Sequence, residues 1–141
     1  MDLGHWELCG IPDLTSDEIT KYLGFVYVIT RKDNGKRYIG QKKFWKTTTR
    51  PPLKGRVNKR RKTIESDWRM YTGSSKSLNQ DIELYGKENF KFEIVHLCES
   101  KWEMTYTEYK RIIDEDAILR ESYYNEFLGR VGKAPNSLKK P

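Results

Sequence analysis

The chain contains few side chains of the types and spacings that common hydrolases use. Its two histidines, His5 and His96, fit neither an HNH motif nor a zinc-protease motif. Its two cysteines, Cys9 and Cys98, form no CxxC pair, and the sequence has no Ser–His or Cys–His signature and no Walker loop. The carboxylates at 114–116 occupy consecutive positions of a predicted helix, so they point in different directions, as on a solvated face. These patterns argue against thiol, zinc and triad chemistry.

Two tyrosines remain as candidates for chemistry. Tyr27 and Tyr38 lie on two predicted strands that the turn signal Asn34-Gly35 joins into a hairpin. Symmetric pairing about this turn places Tyr38 near residue 31, so the two tyrosines are offset along the hairpin and can still reach one face. A tyrosine on a strand is usually a packing residue, and the residues alone assign neither of them a chemical role.

A second feature is a block of positive charge in the middle of the chain. Residues 36–62 hold twelve of the 27 lysines and arginines and none of the 20 acidic residues. The twelve are Lys36, Arg37, Lys42, Lys43, Lys46, Arg50, Lys54, Arg56, Lys59, Arg60, Arg61 and Lys62. Such a block repels itself unless a polyanion neutralises it, so we expect it to bind nucleic-acid phosphate. The alternative is a disordered tail, but the block is internal and contains Phe44 and Trp45.

The elements that must position these residues follow from local patterns. Residues 25–30 are rich in β-branched and aromatic side chains and predict a buried strand, and residues 36–41, after the turn signal, predict the returning strand of the hairpin. Residues 90–97 predict a third strand, and residues 76–85 predict a helix that ends at Gly86. Together these elements predict an α+β fold, a small antiparallel sheet built on a β-hairpin and flanked by helices.

Two further helices are predicted from capping signals. Thr15 and Glu18 have the spacing of a capping box at the start of a short helix. Ser100 caps a long helix that runs to about Leu119. Its apolar stripe consists of Trp102, Tyr106, Tyr109, Ile113 and Ala117.

The remaining segments bound the domain. The length of 141 residues suits one domain. Residues 1–13 are expected to be irregular, residues 66–71 to form a capped helical turn, and residues from Gly132 onward to form a frayed tail. Because the sequence shows no signal peptide, no membrane span and no disulfide framework, we expect a cytoplasmic protein with reduced thiols.

The hairpin tyrosines also carry a resemblance to a known family. Tyr38-Ile39-Gly40 is an intact YIG element, and Phe25-Val26-Tyr27 keeps the tyrosine of a GIY element but departs from it at two of three positions. Residues 78–97 resemble the helix–strand unit that follows in the GIY-YIG nucleases, and residues 66–75 resemble phage-associated members. The resemblance covers about residues 24–128, with an N-terminal extension at 1–23, a basic insert at about 41–65 and a tail at 129–141.

The resemblance implies a set of site residues. Glu108 stands where the family keeps its metal-binding glutamate, and Asn125 stands where it keeps an asparagine. By this resemblance Glu108 holds Mg²⁺ or Mn²⁺, and Tyr27 or Tyr38 orients or deprotonates the attacking water. Gly40 belongs to the same catalytic set. Each also has a plain structural alternative, namely a surface glutamate, a capping asparagine, packing tyrosines and a glycine that allows close approach of the backbone.

The family also uses an arginine to stabilise charge on the phosphate, and its position here is open. The insert interrupts the expected spacing, where Thr48 stands, and Arg69 is the preferred candidate because it lies in a predicted helical turn. The rivals are Arg50, Arg56, Arg60 and Arg61, and Lys42 or Lys43 is a partial substitute. The residues expected to contact DNA are Lys42, Lys43, Arg56, Lys59, Arg60, Arg61 and Lys62.

The resemblance therefore implies a metal-dependent DNA endonuclease, of the free-standing phage or homing type, that leaves 5′-phosphate and 3′-hydroxyl ends. Double-stranded DNA is the expected partner. Specificity would come from the insert and from formation of a homodimer, or it would be low. The alternatives are a non-catalytic nucleic-acid-binding module that uses the basic stretch and, less favoured, an RNA-binding accessory protein, since phosphate contacts look alike for DNA and RNA.

Overall fold

The computed structural model of the protein describes residues 2–50, 53–55, 57 and 60–140, except for the side chains of residues 50, 60 and 61. The strands are β1 (Trp6–Leu8), β2 (Gly24–Arg31), β3 (Arg37–Lys43), β4 (Trp45–Arg50), β5 (Arg60–Glu65), β6 (Phe90–Cys98), β7 (Phe127–Leu128) and β8 (Gly132–Lys133). The α-helices are α1 (Ser16–Ile19), α2 (Lys76–Tyr85) and α3 (Lys101–Asp114). The main sheet has the strand order β1-β6-β2-β3, so β3 is an edge strand. The predicted α+β class is confirmed.

The predicted hairpin of β2 and β3 is present, but its register differs from the prediction. Tyr38 pairs with Ile29, and Tyr27 pairs with Gly40. The prediction that Tyr38 lies near residue 31 is wrong by two residues, because the strands are joined by a four-residue loop, residues 32–35, whose centre lies one residue before that of Asn34-Gly35. The backbone N–H of Arg31 donates to the carbonyl of Lys36 at 2.8 Å across the mouth of that loop.

The first 13 residues are not irregular throughout, as the sequence suggested. Strand β1 pairs in parallel with β6. The ring of Trp6 is 3% exposed and packs edge-on against Phe25, and its indole N–H donates to the backbone carbonyl of Trp68. The aromatic side chains of this segment therefore complete one face of the core, which a pattern of breakers such as Gly4 and Gly10 did not reveal.

The sheet separates two groups of buried side chains. One face of β2 carries Phe25 and Tyr27 and packs against the N-terminal segment and Trp68. The other face carries Val26 and Val28 and packs against α3. Because residues alternate between the two faces along a strand, Tyr27 contacts one half of the molecule. Its chain neighbours Val26 and Val28 contact the other half.

The basic insert forms a separate two-stranded hairpin of β4 and β5, which we call the arm. Its base is anchored in the core, where Phe44 is fully buried and lies 4.9 Å from the ring of Trp68. The indole N–H of Trp45 donates to the carbonyl of Thr20 at 2.8 Å. The backbone N–H of Ser66 donates to the carbonyl of Phe44 and closes the other strand.

Helices α1 and α3 begin where their caps predict. The side chains of Thr15 and Glu18 form the predicted capping box of α1, Ser75 caps α2, and Ser100 caps α3. The predicted turn at 66–71 contains a 3-10 turn without a side-chain cap bond. None of the described helices is long and apolar enough to cross a membrane.

Helix α3 differs from its prediction in length and in orientation. It ends at Asp114 rather than near Leu119, because Asp116 adopts a left-handed backbone conformation with φ of 53°. Its buried residues are Met104 and Ile112. The predicted apolar stripe faces solvent instead, except for its last member, and the exposed fractions are 72% for Trp102, 54% for Tyr106, 36% for Tyr109 and 59% for Ile113.

The described part of the tail is paired with the rest of the chain. Strands β7 and β8 form a two-stranded antiparallel sheet. An isolated bridge links Arg120 to Lys140. The expectation of a tail that is frayed from Gly132 is therefore not met at these residues.

Candidate active site

The YIG glycine lies against the tyrosine of the preceding strand. Gly40 pairs with Tyr27, and a Cβ at Gly40 would lie 2.3 Å from the Tyr27 hydroxyl oxygen. No side chain larger than hydrogen fits there unless the tyrosine moves. Gly40 thus allows the backbone of β3 and the phenol of Tyr27 to approach each other closely, which is the structural role predicted as the alternative to a catalytic one.

A second glycine closes over both phenols. A Cβ at Gly73 would lie 3.2 Å from the Tyr27 hydroxyl and 3.1 Å from the Tyr38 ring. The two tyrosine rings have centroids 6.2 Å apart. The Tyr38 hydroxyl shares a hydrogen bond of 3.1 Å with the Ser74 hydroxyl. The segment between the arm and α2 therefore holds the two tyrosines side by side.

Burial keeps both phenols in their neutral form. Burial is the main cause that raises the pKa of Tyr27 well above its ordinary value, and Tyr38 and Tyr71 add to the effect. Burial also raises the pKa of Tyr38, although the hydrogen bond with Ser74 opposes it. Both side chains are therefore neutral phenols at physiological pH and act as hydrogen-bonding groups.

Asn125 holds the central residue of the YIG element. Its side-chain oxygen accepts from the backbone N–H of Ile39 at 3.0 Å, and its side-chain amide donates to the Ile39 carbonyl at 2.9 Å. Ile39 lies on the edge strand, where the described part of the chain offers its backbone groups no further strand to pair with. Asn125, which is 8% exposed, thereby replaces a neighbouring strand at this position.

Glu108 lies on the sheet-facing side of α3 beside β3. Its carboxylate accepts from the Gln41 side-chain amide at 2.9 Å, and the Gln41 oxygen accepts from the Lys101 ammonium at 2.8 Å. Burial raises the pKa of Glu108, and the bond from Gln41 and the charge of Lys101 only partly oppose this. Within the described residues, no lysine or arginine nitrogen lies within 4.0 Å of this carboxylate.

One pocket at the edge of β3 joins these groups. It has a volume of about 470 Å³ and is lined by Tyr38, Glu108, Asn125 and the start of α2 at residues 74–77. Tyr27 does not line the pocket and lies behind it. Because the edge strand ends the sheet, side chains from its two faces meet here, although they pack on opposite sides elsewhere.

The structure does not bring Arg69 into this pocket. Its guanidinium forms ion pairs with Glu65 and with Asp2, the latter at 3.2 Å, and lies 4.5 Å from the ring centroid of Trp68. These contacts fasten the N-terminus to the segment after the arm. The role of Arg69 as the transition-state arginine stays a prediction, and its observed partners are those of a structural residue.

The predicted DNA-contacting residues fall into three groups. Lys42 is half-buried, forms an ion pair of 2.8 Å with Asp67 and lies 4.1 Å from the ring centroid of Tyr71. Lys43 and Lys62 are exposed to solvent at the base and on the second strand of the arm. The predictions for Arg56 and Lys59, and for the side chains of Arg60 and Arg61, lie outside what the structure describes.

One other cluster could hold a metal ion. Within the described residues, His96, Cys98 and Glu103 are the one group of three such side chains, with ligand atoms within 4.8 Å of one another. Glu103 accepts from the backbone N–H of Glu99 and pairs with His96 at 3.0 Å. Nitrogen and sulfur ligands do not suit Mg²⁺, so this cluster is no substitute for Glu108.

Sequence reasoning missed several residues that line the pocket or contact its side chains. Gln41 follows YIG directly, and its bond to Glu108 is not visible without the packing of α3 on β3. Gly73 and Ser74 were interpreted only as chain breakers, and Lys76 only as the first residue of a helix. The Gly-Ser-Ser run before a helix is a signal for an anion-binding N-terminus that could have identified them.

The comparison with protein families decides the assignment. The family described as "Putative endonuclease segE, GIY-YIG domain" matches residues 6–128 of the 141. The chain belongs to the SegE-type GIY-YIG domain family. No curated protein and no solved structure matches the chain significantly. Membership of this family makes the domain a nuclease domain, and the GIY-YIG nucleases generally use divalent metal ions.

Proposed function

We propose that the protein is a Mg²⁺-dependent endonuclease that hydrolyses phosphodiester bonds of double-stranded DNA and leaves 5′-phosphate and 3′-hydroxyl ends. The observation that carries the proposal is the state of Glu108. Its carboxylate lies in a pocket with Tyr38, its pKa is raised by burial, and it has no cationic partner within 4.0 Å among the described residues. A bound cation would relieve this unfavourable burial of charge.

The residues present fit a hard divalent ion at Glu108. Mg²⁺ prefers oxygen ligands and commonly binds through one or two carboxylates together with water and substrate phosphate. The Gln41 amide nitrogen donates to the Glu108 carboxylate and orients it, and the Gln41 oxygen accepts from the Lys101 ammonium. Because an ammonium can only donate and a carboxylate can only accept, these two bonds fix which way the Gln41 amide points. Bound at Glu108, Mg²⁺ supplies a Lewis acid to the scissile phosphate. Mn²⁺ has similar ligand preferences and is the alternative ion.

The two tyrosines have different roles in this proposal. Tyr38 lines the pocket, so its hydroxyl contacts the attacking water and orients it through a hydrogen bond. Tyr27 lies behind Gly40 and supports the position of Tyr38. Asn125 holds Ile39 and so keeps this part of the edge strand in place. With both phenols neutral, orientation of the water is a better-supported role than deprotonation.

The start of α2 is the proposed phosphate-binding element. Ser74, Ser75, Lys76 and Ser77 line the pocket opposite Glu108. The first N–H groups of a helix have no partner within the helix, and together with the helix dipole they favour an anion. Lys76 adds a positive charge there. We therefore propose Lys76 as the cation that stabilises the transition state, with Arg69 as the rival predicted from the sequence.

This assignment can be tested by single-turnover cleavage at saturating enzyme. Lys76→Ala should slow the chemical step on the order of a hundredfold, because the charge that develops on phosphate loses its counterpart. Arg69→Ala should instead lower the thermal stability and keep the rate. If Arg69→Ala loses the chemical step and keeps its stability while Lys76→Ala cuts normally, the sequence-based assignment is correct.

The arm is the proposed DNA-binding element. A two-stranded β-ribbon fits the major groove of B-DNA, and the basic residues of β5 would contact the phosphates. Replacing Lys59, Arg60, Arg61 and Lys62 by alanine should reduce the slope of log affinity against log salt by up to about 0.9 for each lost contact. The same number of replacements among exposed lysines elsewhere, such as Lys139, is the matched control. An unchanged slope in the arm variant would reject the arm as the binding element.

Cleavage of supercoiled plasmid tests the proposal as a whole. The wild-type protein should nick or cut plasmid with Mg²⁺ and not with EDTA, and the products should be ligatable without end repair. If it binds duplex DNA with a steep salt dependence but cuts with neither Mg²⁺ nor Mn²⁺, it is the non-catalytic binding module. Preferential binding and cutting of RNA of the same sequence would indicate the RNA-directed alternative.

A further inference from the structure

The outer face of α3 exposes an unusual amount of aromatic surface. The rings of Trp102 and Tyr106 stack at 5.0 Å with an angle of 7° between their planes, and both side chains are more than half exposed. Ile113 continues the stripe, and together with Val131 and Leu138 it lines an apolar groove of about 240 Å³. Contiguous exposed apolar surface of this kind marks an interaction site in a soluble protein.

The charges around this face fit a protein better than DNA. Lys110 pairs with Asp114 at 2.8 Å, and Lys140 pairs with Asp116 at 2.8 Å. The face is therefore bordered by charges of both signs rather than by a net positive patch, and it offers little to a phosphate backbone. A specific protein interface is typically apolar at its centre and carries polar or charged groups of both signs at its rim.

The spacing of the residues in the stripe is the same when it is read from either end of α3. Its members, Trp102, Tyr106, Tyr109 and Ile113, are separated by four, three and four residues. A two-fold axis between positions 107 and 108, perpendicular to α3, would place Trp102 opposite the partner's Ile113 and Tyr106 opposite the partner's Tyr109. Self-complementarity of this kind is what an interface between two identical chains requires.

The flanking charges favour the same antiparallel arrangement. Glu103 and Lys110 lie two helical turns apart and therefore on one side of the stripe. Antiparallel pairing keeps this side of the stripe on the same side in both copies and would bring Glu103 near the partner's Lys110, whereas parallel pairing would place the two on opposite sides of the interface. We propose that the outer face of α3 is the interface of a two-fold homodimer, with the α3 helices antiparallel. The inference does not depend on the nuclease chemistry.

Sedimentation velocity over a concentration series from low to high micromolar, without DNA, tests the interface. The wild type should change from monomer to dimer. Tyr106→Glu should weaken the dimer at least about a hundredfold, because each copy would bury an unpaired carboxylate. Leu84→Glu is the matched control, since Leu84 is as exposed as Trp102 but lies on α2. Both positions are on the surface, so circular dichroism should show an unchanged fold, and Ile113→Glu provides a second interface variant.

The outcomes separate the alternatives. A dimer that Tyr106→Glu and Ile113→Glu disrupt and that Leu84→Glu leaves intact supports the proposal. A wild type that stays monomeric throughout overturns it, and so does a dimer that neither interface variant affects. Lys110→Glu tests the orientation, because it would face the partner's Glu103 only in the antiparallel dimer. A dimer that Lys110→Glu does not weaken overturns the antiparallel arrangement.

Discussion

Replacing Glu108 by glutamine should stabilise the metal-free protein and remove its response to Mg²⁺. The amide keeps the size of the side chain and can still accept the bond from Gln41, but it has no charge to bury. The folded-state pKa of Glu108 lies above its ordinary value of 4.5. The unfavourable contribution is therefore absent below pH 4.5 and complete above the folded-state pKa. The wild type should lose stability relative to the variant as the pH rises through that window.

The stabilisation that Mg²⁺ gives the folded protein is limited by the single carboxylate, Glu108, at the proposed site. One such ligand gives weak binding, so the experiment needs Mg²⁺ well above the dissociation constant. At about ten times that constant, binding stabilises the folded state by about 1.4 kcal/mol. For a domain of this size the melting temperature should rise by roughly 3–6 °C. Glu108→Gln should show no such rise.

Differential scanning fluorimetry at neutral pH, with ionic strength held constant by NaCl, measures both effects. Glu126→Gln is the matched control, because Glu126 is an exposed carboxylate that lines the same pocket. It should keep the full response to Mg²⁺. The reasoning is refuted if Glu108→Gln melts at a lower temperature than the metal-free wild type and responds to Mg²⁺ as the wild type does.

Three further predictions concern the edge strand. Gly40→Ala should lower the unfolding free energy by about 1–3 kcal/mol in urea titrations, because its Cβ would displace the Tyr27 hydroxyl. Asn125→Ala should lower it by about 2–5 kcal/mol in the same titrations, since two buried backbone groups of Ile39 lose their partners, and a loss under 1 kcal/mol would contradict that role. Tyr38→Phe should keep the melting temperature but slow single-turnover cleavage, and the wild-type rate should show no phenol titration at neutral pH.

Local signals predicted the elements of this fold well. The hairpin, the strand β6, the helix α2 and the caps of α1 and α3 follow from short patterns of residues that are close in sequence. The predicted register of the hairpin is wrong because Asn34-Gly35 forms the second half of a four-residue loop rather than its centre, and the position and length of the loop set the register. Strand β1 was missed because its pairing with β6 joins residues far apart in sequence.

The stripe on α3 shows where periodicity is ambiguous. The pattern of Trp102, Tyr106 and Ile113 is typical of a core-facing helix, yet the side that packs on the sheet is the one with Met104 and Ile112. Both sides have apolar residues at helical spacing, so the period alone does not decide which one is buried. An interface with a second copy would account for the apolar residues on the outer side.

The candidate site depended on contacts that no local pattern contains. The pairing of Tyr27 with Gly40 could be expected from the hairpin once its register was known. The approach of Glu108 to Gln41, and of Asn125 to Ile39, requires α3 and the segment after it to pack around the edge strand. Glu108 and Asn125 were named through the resemblance, whereas the bond from Gln41 to Glu108 could not have been predicted from any local pattern.

The role of Glu108 as the metal ligand of a nuclease is tested most directly by single-turnover cleavage of an end-labelled DNA duplex by Glu108→Ala with Mg²⁺. DNA binding is measured on the same variant. Loss of this carboxylate removes the proposed metal ligand but none of the positive charges that bind phosphate. Cleavage should fall to the level seen with EDTA, while affinity for the duplex should be little changed. Cleavage by Glu108→Ala at the wild-type rate would contradict this role.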